Sequence, residues 1–379
     1  MQIAIFDYLV KPTNAIGNCD RHIVAGLCDE HDFTVFAVEF DNPRPDRIEF
    51  VHIPAILRPL FALFVTYHIL APIILWLHKR RTGKTYDVVQ SIESNSLLGT
   101  LVYSQFCHTA YLKHHWQQNK AGGLRGIARW LDYNLHSLFE PVVYRKARTI
   151  VTPSQGLANE LKREFDSIVG GKITVIPSPI DFDKMQQPDD FDRSVERHKW
   201  AFEDDDLVMV FVALGDFERK GLPQLLDAMA QVPSPKLKLL VVGGNESTLA
   251  DYRQFVKAKD LEKRVVFVGM QKDVRPFLWT ADLFTFPSAY ETFSMVSYEA
   301  AAAGLPLLVS PLYGVEDMLE EGVNGWCVER TADAYAARLQ ACLEDPSALQ
   351  SMGENARQSV SRCDVPHFVE RWRQYYASL

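Results

Sequence analysis

The sequence predicts an α/β chain made of two doubly wound parallel sheets. Three observations carry that prediction. The first half alternates short apolar runs with longer mixed segments, a proline-flanked polar stretch interrupts it, and the same alternation then restarts. Alternating strand and helix patterns of this kind fold as βαβ units on a parallel sheet. At roughly 150 residues per domain, 379 residues suit two or three domains. Hydrophobic residues at 47% and charged residues at 23% are ordinary for a globular chain and exclude a disordered, collagenous or disulfide-stapled one.

Taken in order, the apolar runs at 3–6, 34–38, 87–91, 101–106, 149–152 and 173–176 are expected strands, because strands buried on both faces read as near-continuous apolar stretches. Helices are expected at 19–30 and 156–165. Pro177, Pro179 and Pro188 flank the polar run 181–193, which suits a linker. Strands are then expected at 207–213, 238–242, 265–268, 283–286 and 307–309, with helices at 222–231, 295–303 and 332–344. A last helix, 365–377, is expected to cross back to the first domain. The division is therefore 1–180, 181–360 and a terminal helical segment 361–379. Sheets of this type take ligands beyond the carboxyl ends of their strands, so a cleft facing both sheets is the expected site.

Charge narrows the ligand. There are 40 Lys+Arg against 48 Asp+Glu, a net charge of −8, which argues against a general nucleic-acid binder. Residues 1–180 hold 19 basic and 16 acidic residues (+3), which leaves 21 basic and 32 acidic (−11) for the rest, and nine of the eleven histidines fall in 1–180. Halves of opposite sign suit different ligands. Six cysteines are scattered without a CxxC pair, the usage of reduced thiols in the cytoplasm rather than of a disulfide frame or zinc site. The start, MQIAIFDYLV, has no basic region and enters a strand pattern directly, so no signal peptide is expected.

The segment 286–306, FPSAYETFSMVSYEAAAAGLP, ends a strand, carries Glu291 in a loop and starts a helix near Ser294. The amides of Phe293, Ser294 and Met295 would then be an anion site at a helix start. Glu291 and Glu299 are placed to border one cleft; each taken alone reads more readily as a solvated carboxylate. The run LGDFERKGL, 214–222, also follows a strand and precedes a helix. Its Arg219 and Lys220 suit a leaving diphosphate, or else form a solvated basic turn. Gly243 and Gly244 end another strand, Met270 a third, and Asp282 precedes the fourth. In the first half, Gly17 in NAIGNCDR stands at an expected strand-to-helix turn, and His108 follows the strand expected at 101–106.

Pro287, Ser288, Glu291, Phe293, Glu299, Ala300, Gly304 and Pro306 together resemble the signature of retaining glycosyltransferases of family four, which have the GT-B fold of two Rossmann-like domains facing across a cleft. The match is close over about 207–325 and looser before it. Ser294 stands where the family has Gly, a small residue that suits a helix start. Asp216 stands for the usual early Arg, as in a variant found among lipopolysaccharide-core members. Gly17 stands alone for Gly-Gly, and 176–181 departs from Pro-Asn-Gly. The resemblance implies a nucleotide-diphosphate sugar as co-substrate, no cofactor, and transfer with retention to a glycan or lipid-linked acceptor of the cell envelope. It implies His108, Glu291, Arg219 and Lys220 as the reacting set, and Gly17, Gly215, Arg219, Lys220, Gly243, Met270, Glu291, Thr292, Phe293, Ser294, Met295 and Glu299 as the donor-binding set. No Asp-x-Asp motif stands where a GT-A enzyme would need one, so no metal is expected. A sugar-nucleotide epimerase or a non-catalytic sugar-nucleotide sensor on the same fold are the alternatives. A phosphorylase would need a pyridoxal lysine that has no recognisable context here.

The run 59–78 contains no Asp, Glu, Lys or Arg, and Lys79, Arg80 and Arg81 follow it. It approaches the length of a membrane span. A span is not expected, because the next strand rejoins the sheet of residues 3–6 and Pro72 should interrupt the helix. The segment is then a core helix or an apolar surface lying in a bilayer interface. Residues 113–148 hold seven basic and two acidic residues among Trp116, Trp130, Tyr133 and Phe139, which suits an anionic lipid surface or a solvated basic face. The location implied is cytoplasmic, peripheral on the cytoplasmic membrane face.

Overall fold

The computed structural model describes residues 1–119 and 123–379. The chain forms two units, Met1–Pro179 with Val365–Leu379, and Ile180–Asp364. In the first, seven strands build one sheet: β1 (Gln2–Phe6), β2 (Asp32–Ala37), β3 (Glu49–His52), β4 (Val88–Ile92), β5 (Leu101–Tyr103), β6 (Thr149–Thr152) and β7 (Ile173–Val175), in the order β3-β2-β1-β4-β5-β6-β7. All neighbours are parallel; Ile3 stands opposite both Phe33 and Val88. The second unit has β8 (Leu207–Val212), β9 (Leu237–Val242), β10 (Val265–Gly269), β11 (Leu283–Phe286), β12 (Leu307–Val309) and β13 (Gly325–Cys327), in the order β10-β9-β8-β11-β12-β13, again parallel, with Met209 opposite Leu239 and Leu283. In each sheet the order reverses beside the first strand, at β1/β4 and β8/β11. Loops leaving the carboxyl ends there diverge to opposite faces, which makes the crevice where such sheets bind ligands.

Strands β3 and β13 were not foreseen. β3 reads EFVH, half-exposed along its length at the sheet edge, so it carries no continuous apolar run. The expected strand 101–106 stops at Tyr103. Helix α1 (Ala15–Leu27) starts four residues before the expected position, because the Asn14 side chain accepts from the Gly17 amide at 2.9 Å and caps it.

Helix α2 (Leu60–Thr82) runs through Pro72 without a break, contrary to the expected interruption. One proline removes one donor from a ladder of 23 residues, and the turns on either side hold the helix. Leu63, Phe64, Tyr67, Ala71 and Leu75 pack inward. Val65, Ile69, Ile73, Trp76 and Leu77 form a second apolar face that is exposed. Only 28% of its most apolar window is buried, so α2 is not a core helix. The following helices are α3 (His108–His114) and α4 (Gly123–Lys146). α4 lies beside α2, with the Phe64 and Phe139 rings 5.3 Å apart, and adds exposed Ile127, Trp130, Leu138 and Val142. Trp116, expected on a surface, is buried; of the basic residues expected there, Lys120 lies outside the described residues.

In the second unit the helices that bear on the site are α5 (Phe217–Lys220), α6 (Leu222–Gln231) and α7 (Met295–Ala302). The chain ends in α8 (Val365–Ala377), which belongs to the first unit and buries Phe368, Trp372 and Tyr376 in its core.

Candidate active site

The second unit brings the two expected motifs together at its switch point. β8 leads to Gly215 and α5, and β11 leads to Glu291 and α7. Gly221, at φ +88°, lets the loops touch: a Cβ there would lie 1.9 Å from the Pro287 carbonyl oxygen. The Ala289 amide donates to the Arg219 carbonyl at 2.8 Å. Arg330 clasps both loops, donating from Nε to the Pro287 carbonyl at 2.8 Å and from Nη2 to the Glu218 carbonyl at 2.9 Å. Sequence reasoning missed Arg330, which lies in no recognisable pattern.

The cations are already engaged. Lys220 Nζ pairs with Glu291 Oε1. Arg219 donates from Nη1 to the Tyr290 carbonyl at 2.7 Å, lies 3.5 Å from Glu291 Oε1, and pairs through Nε with Asp216 at 3.0 Å. Ser288 Oγ donates to Glu291 Oε1 at 2.8 Å. Burial pulls the Lys220 ammonium below the usual lysine value, against the Glu291 carboxylate that favours its charge. Arg219, Lys220 and Glu291 therefore form one charge cluster, not the solvated basic turn and lone carboxylate that each could have been.

Beside this cluster, α7 begins. No hydrogen bond engages the amides of Phe293, Ser294 and Met295 among the described residues. Ser294 adopts a left-handed conformation (φ 61°, ψ 58°), and its hydroxyl meets Ser297 Oγ at 2.7 Å instead of capping the helix. This corrects the reason given for tolerating Ser there: the position favours Gly for its backbone, not for its size. The Phe293 and Tyr298 rings stack at 4.2 Å, and the Tyr298 hydroxyl donates to the Gly314 carbonyl at 2.7 Å, which fixes the loop entering α7. Glu299 sits one turn in, half-buried, and Thr292 is half-buried in the loop. Burial, and then the charge of Asp181, push Glu299 up to about 7. Gly215, Gly243 and Met270 follow β8, β9 and β10 at the same carboxyl edge. Gly243, at φ +107°, has its Cβ position filled by the Ala213 carbonyl at 1.9 Å, whereas Gly215 has open space there. Asp282 is structural: it holds Arg193 and Arg197 at 2.5 and 2.6 Å and accepts from the Val208 amide.

In the first unit, Gly17 lies inside α1, where a Cβ would come within 1.9 Å of the Leu9 carbonyl oxygen. The space its missing side chain leaves is thus filled by Leu9, which corrects the turn expected there. His108 begins α3 and is buried in a polar cluster that sequence reasoning missed. Its Nδ1 lies 3.1 Å from Glu140 Oε1 and its Nε2 3.9 Å from Glu93 Oε2, and its ring stacks on His136 at 4.3 Å. Asp132 lies 3.8 Å from His136 Nε2. Burial pushes Glu93 up to about 7 and Asp132 to about 6. Glu93, His108 and His136 present possible metal ligands within 4.8 Å of one another. The two rings are only 13° from parallel, so no nearby point lies in the plane of both, where an ion bound to each imidazole would have to sit. This cluster does not fit a metal as it stands.

Comparison with known proteins matches both halves in chain order. The family described as Glycosyltransferase Family 4 matches residues 21–184, and Glycosyl transferases group 1 matches residues 192–359. An uncharacterised glycosyltransferase of Methanocaldococcus jannaschii is 24% identical over 95% of this chain and 93% of its own. The lipopolysaccharide core biosynthesis glycosyltransferase LpsE of Rhizobium meliloti is 29% identical over 40% of this chain and 44% of its own. Among solved structures, Anabaena HepE in complex with UDP shares 20% identity at a TM-score of 0.72, covering 100% of both chains. WaaG, a glycosyltransferase involved in lipopolysaccharide biosynthesis, shares 16% identity at 0.73, covering 97% of this chain and 98% of its own. With two Rossmann-like parallel sheets, a charge cluster at the switch point of the second and both halves matched in order, the chain belongs to the group 1, family 4 glycosyltransferases of GT-B fold.

Proposed function

We propose that this glycosyltransferase moves a sugar, with retention of configuration and without a metal, from a nucleotide-diphosphate sugar to a glycan or lipid-linked acceptor of the cell envelope. The observation that carries the donor half is the meeting of Arg219 and Lys220 with the unengaged amides of 293–295 at one switch point. Cations and helix-start amides together suit a diphosphate, whose charge grows as the sugar leaves. Glu291 neutralises those cations in the free protein. An arriving diphosphate takes that part over, and Glu291 becomes available to hydroxyls of the sugar. To Glu299 we assign the ribose hydroxyls. To His108 we assign the reacting sugar. The bond from the anomeric carbon to the phosphate oxygen breaks, the acceptor oxygen bonds on the same face, and the acceptor proton passes to the leaving phosphate. HepE has been solved with UDP-glucose, which supports a nucleotide-sugar donor.

The acceptor half is supported by α2 and α4. Each exposes apolar side chains, Lys79, Arg80 and Arg81 stand in the last turn of α2, and Arg80 stacks on Trp76 at 4.0 Å. Apolar and basic residues together suit the cytoplasmic face of an anionic membrane, where a lipid-linked acceptor is met. LpsE, a lipopolysaccharide core enzyme, supports an envelope acceptor.

A thermal-shift screen of UDP, GDP and ADP sugars identifies the donor, since a ligand bound only by the folded state raises its stability. Product analysis by NMR is then expected to show the donor's own anomeric configuration, and an inverted product overturns the mechanism. Turnover is expected to persist in excess EDTA. Loss that magnesium or manganese restores would overturn the metal-free assignment.

A further inference from the structure

We infer that Glu140 is the positioning residue for His108, fixing which ring nitrogen is left for the substrate. The inference rests on the reading of His108 as the group that meets the sugar. Glu140 stands on α4 and is wholly buried. Its Oε1 accepts from the His108 amide at 2.6 Å and meets His108 Nδ1 at 3.1 Å. Its Oε2 accepts from the Thr109 amide at 3.0 Å and the Thr109 hydroxyl at 2.6 Å. A carboxylate receiving donors on both oxygens is the ionised, acceptor-only form. The proton shared with His108 therefore sits on Nδ1, and Nε2 is the atom that can exchange a proton or hydrogen-bond with a substrate.

The rest of the ring is clamped. It stacks on His136, whose own Nδ1 is held by Ser94 Oγ at 2.7 Å, and meets Phe106 and Tyr133 edge-on, centroids 4.9 and 5.3 Å away. Three carboxylates face the imidazole: Glu140 at Nδ1, Glu93 toward Nε2, and Asp132 from the same helix as Glu140. Glu93 is held at a positive φ of 47°, and its Oε1 is buried without a hydrogen-bond partner. Burial opposes charge on the ring, but the Glu140 hydrogen bond and the charges of Glu93, Glu140 and Asp132 outweigh it and raise the His108 pKa. His136, by contrast, is held neutral by burial and by the neighbouring His108 and His68. The result favours the protonated ring, with its Nδ1 held by Glu140.

The test is NMR of histidine-labelled full-length protein, with the His108 signal assigned from His108→Gln. Wild type is expected to show the Nδ1–H tautomer on deprotonation and a pKa above that of free histidine. In Glu140→Gln that pKa should fall by about one pH unit or more. Turnover should fall about 100-fold through kcat, with the donor KM little changed, and its alkaline decline should move to lower pH. Glu140 also caps α3, so Thr109→Val serves as the structural control: it loses one of the same hydrogen bonds and should lower thermal stability while leaving the His108 titration in place. Glu140→Asp keeps the charge and should restore much of the pKa. Should Glu140→Gln not fold, Glu140→Ala reads the same loss. An unmoved tautomer and pKa in Glu140→Gln, or an equal shift in Thr109→Val, overturns the positioning role. Wild-type turnover by His108→Gln would instead overturn the role of His108, leaving the titration result intact.

Discussion

Lys220 and Glu299 make opposite kinds of residue-scale prediction. Lys220 pairs with Glu291, and Arg219 stands 3.5 Å from the same carboxylate. Lys220→Ala therefore leaves Glu291 a partner and should stay folded. A lost donor to a developing anion costs about 2.7–4 kcal/mol, roughly 10²–10³-fold in kcat. Turnover with an unchanged melting temperature checks it, and wild-type turnover would remove Lys220 from the reaction. Glu299 is a question of pH. Burial, then Asp181, push it up to about 7, so the carboxylate is fully charged, as the proposed ribose contact needs, only above neutrality. Affinity for a nucleotide sugar, whose diphosphate does not titrate in this range, should rise from pH 6 to pH 8 by calorimetry, and Glu299→Gln should abolish that rise. The sign for stability is the reverse. A carboxylate whose folded pKa is raised stabilises the fold at low pH and loses that contribution as pH rises through about 7. Glu299→Gln should thus be more stable than wild type at pH 8 and gain little at pH 5.

At the scale of elements, α2 separates what packing requires from what it leaves over. Its inward stripe, Leu63 to Leu75, fixes it on the sheet, and the exposed stripe of Val65, Ile69 and Ile73 does nothing for the fold of the first unit. Ile69→Glu with Ile73→Glu should therefore keep the stability of the fold within about 1 kcal/mol of wild type, as surface changes do. The pair should abolish co-sedimentation with anionic vesicles. Wild-type protein that binds neutral and anionic vesicles equally, or neither, would defeat the docking role. The sequence made this helix visible as an uncharged run, yet could not say which face was covered, since both faces are apolar. The same limit applies elsewhere. β8 and β11 were legible because parallel strands buried on both sides are continuous apolar runs, whereas β3 at the edge alternates and passed unnoticed. Within the candidate site, Glu291, Lys220 and Ser294 stood out through the spaced pattern that resembles the family signature. Glu140, Glu93 and Arg330 were not, because their roles arise from pairings 32, 15 and 43 residues apart that no local pattern records.

For the whole molecule, the decisive fact is that the chain leaves its first unit at Pro179 and re-enters it only at Val365. The returning helix α8 is part of that unit's core rather than an ornament. Phe368 and Trp372 are fully buried, Tyr376 is nearly so, and the Tyr376 hydroxyl donates to Gln90 Oε1 at 2.7 Å in the middle of β4. Gln90 in turn donates to the buried Asp20 of α1 at 2.9 Å, so removing α8 would expose apolar surface and also leave a polar pair short of one partner. Truncating one buried aromatic to alanine costs about 3–5 kcal/mol. Losing three exceeds most of the 5–15 kcal/mol that holds an ordinary domain together. The second unit has its own apolar core, from Ile180 to Val360, to which α8 contributes no buried apolar side chain among the described residues. Trp372→Ala is therefore expected to lower the stability of the first unit by about 3–5 kcal/mol while nucleotide affinity, which the proposed function assigns to the second, stays near wild type. A chain ending at Asp364 should show the extreme case: β1 to β7 open to protease and hydrogen exchange, β8 to β13 still protected and still binding nucleotide. Protection of β1 and β4 in that shortened chain would mean that the first unit completes its core without the returning helix, and the dependence argued here would fail.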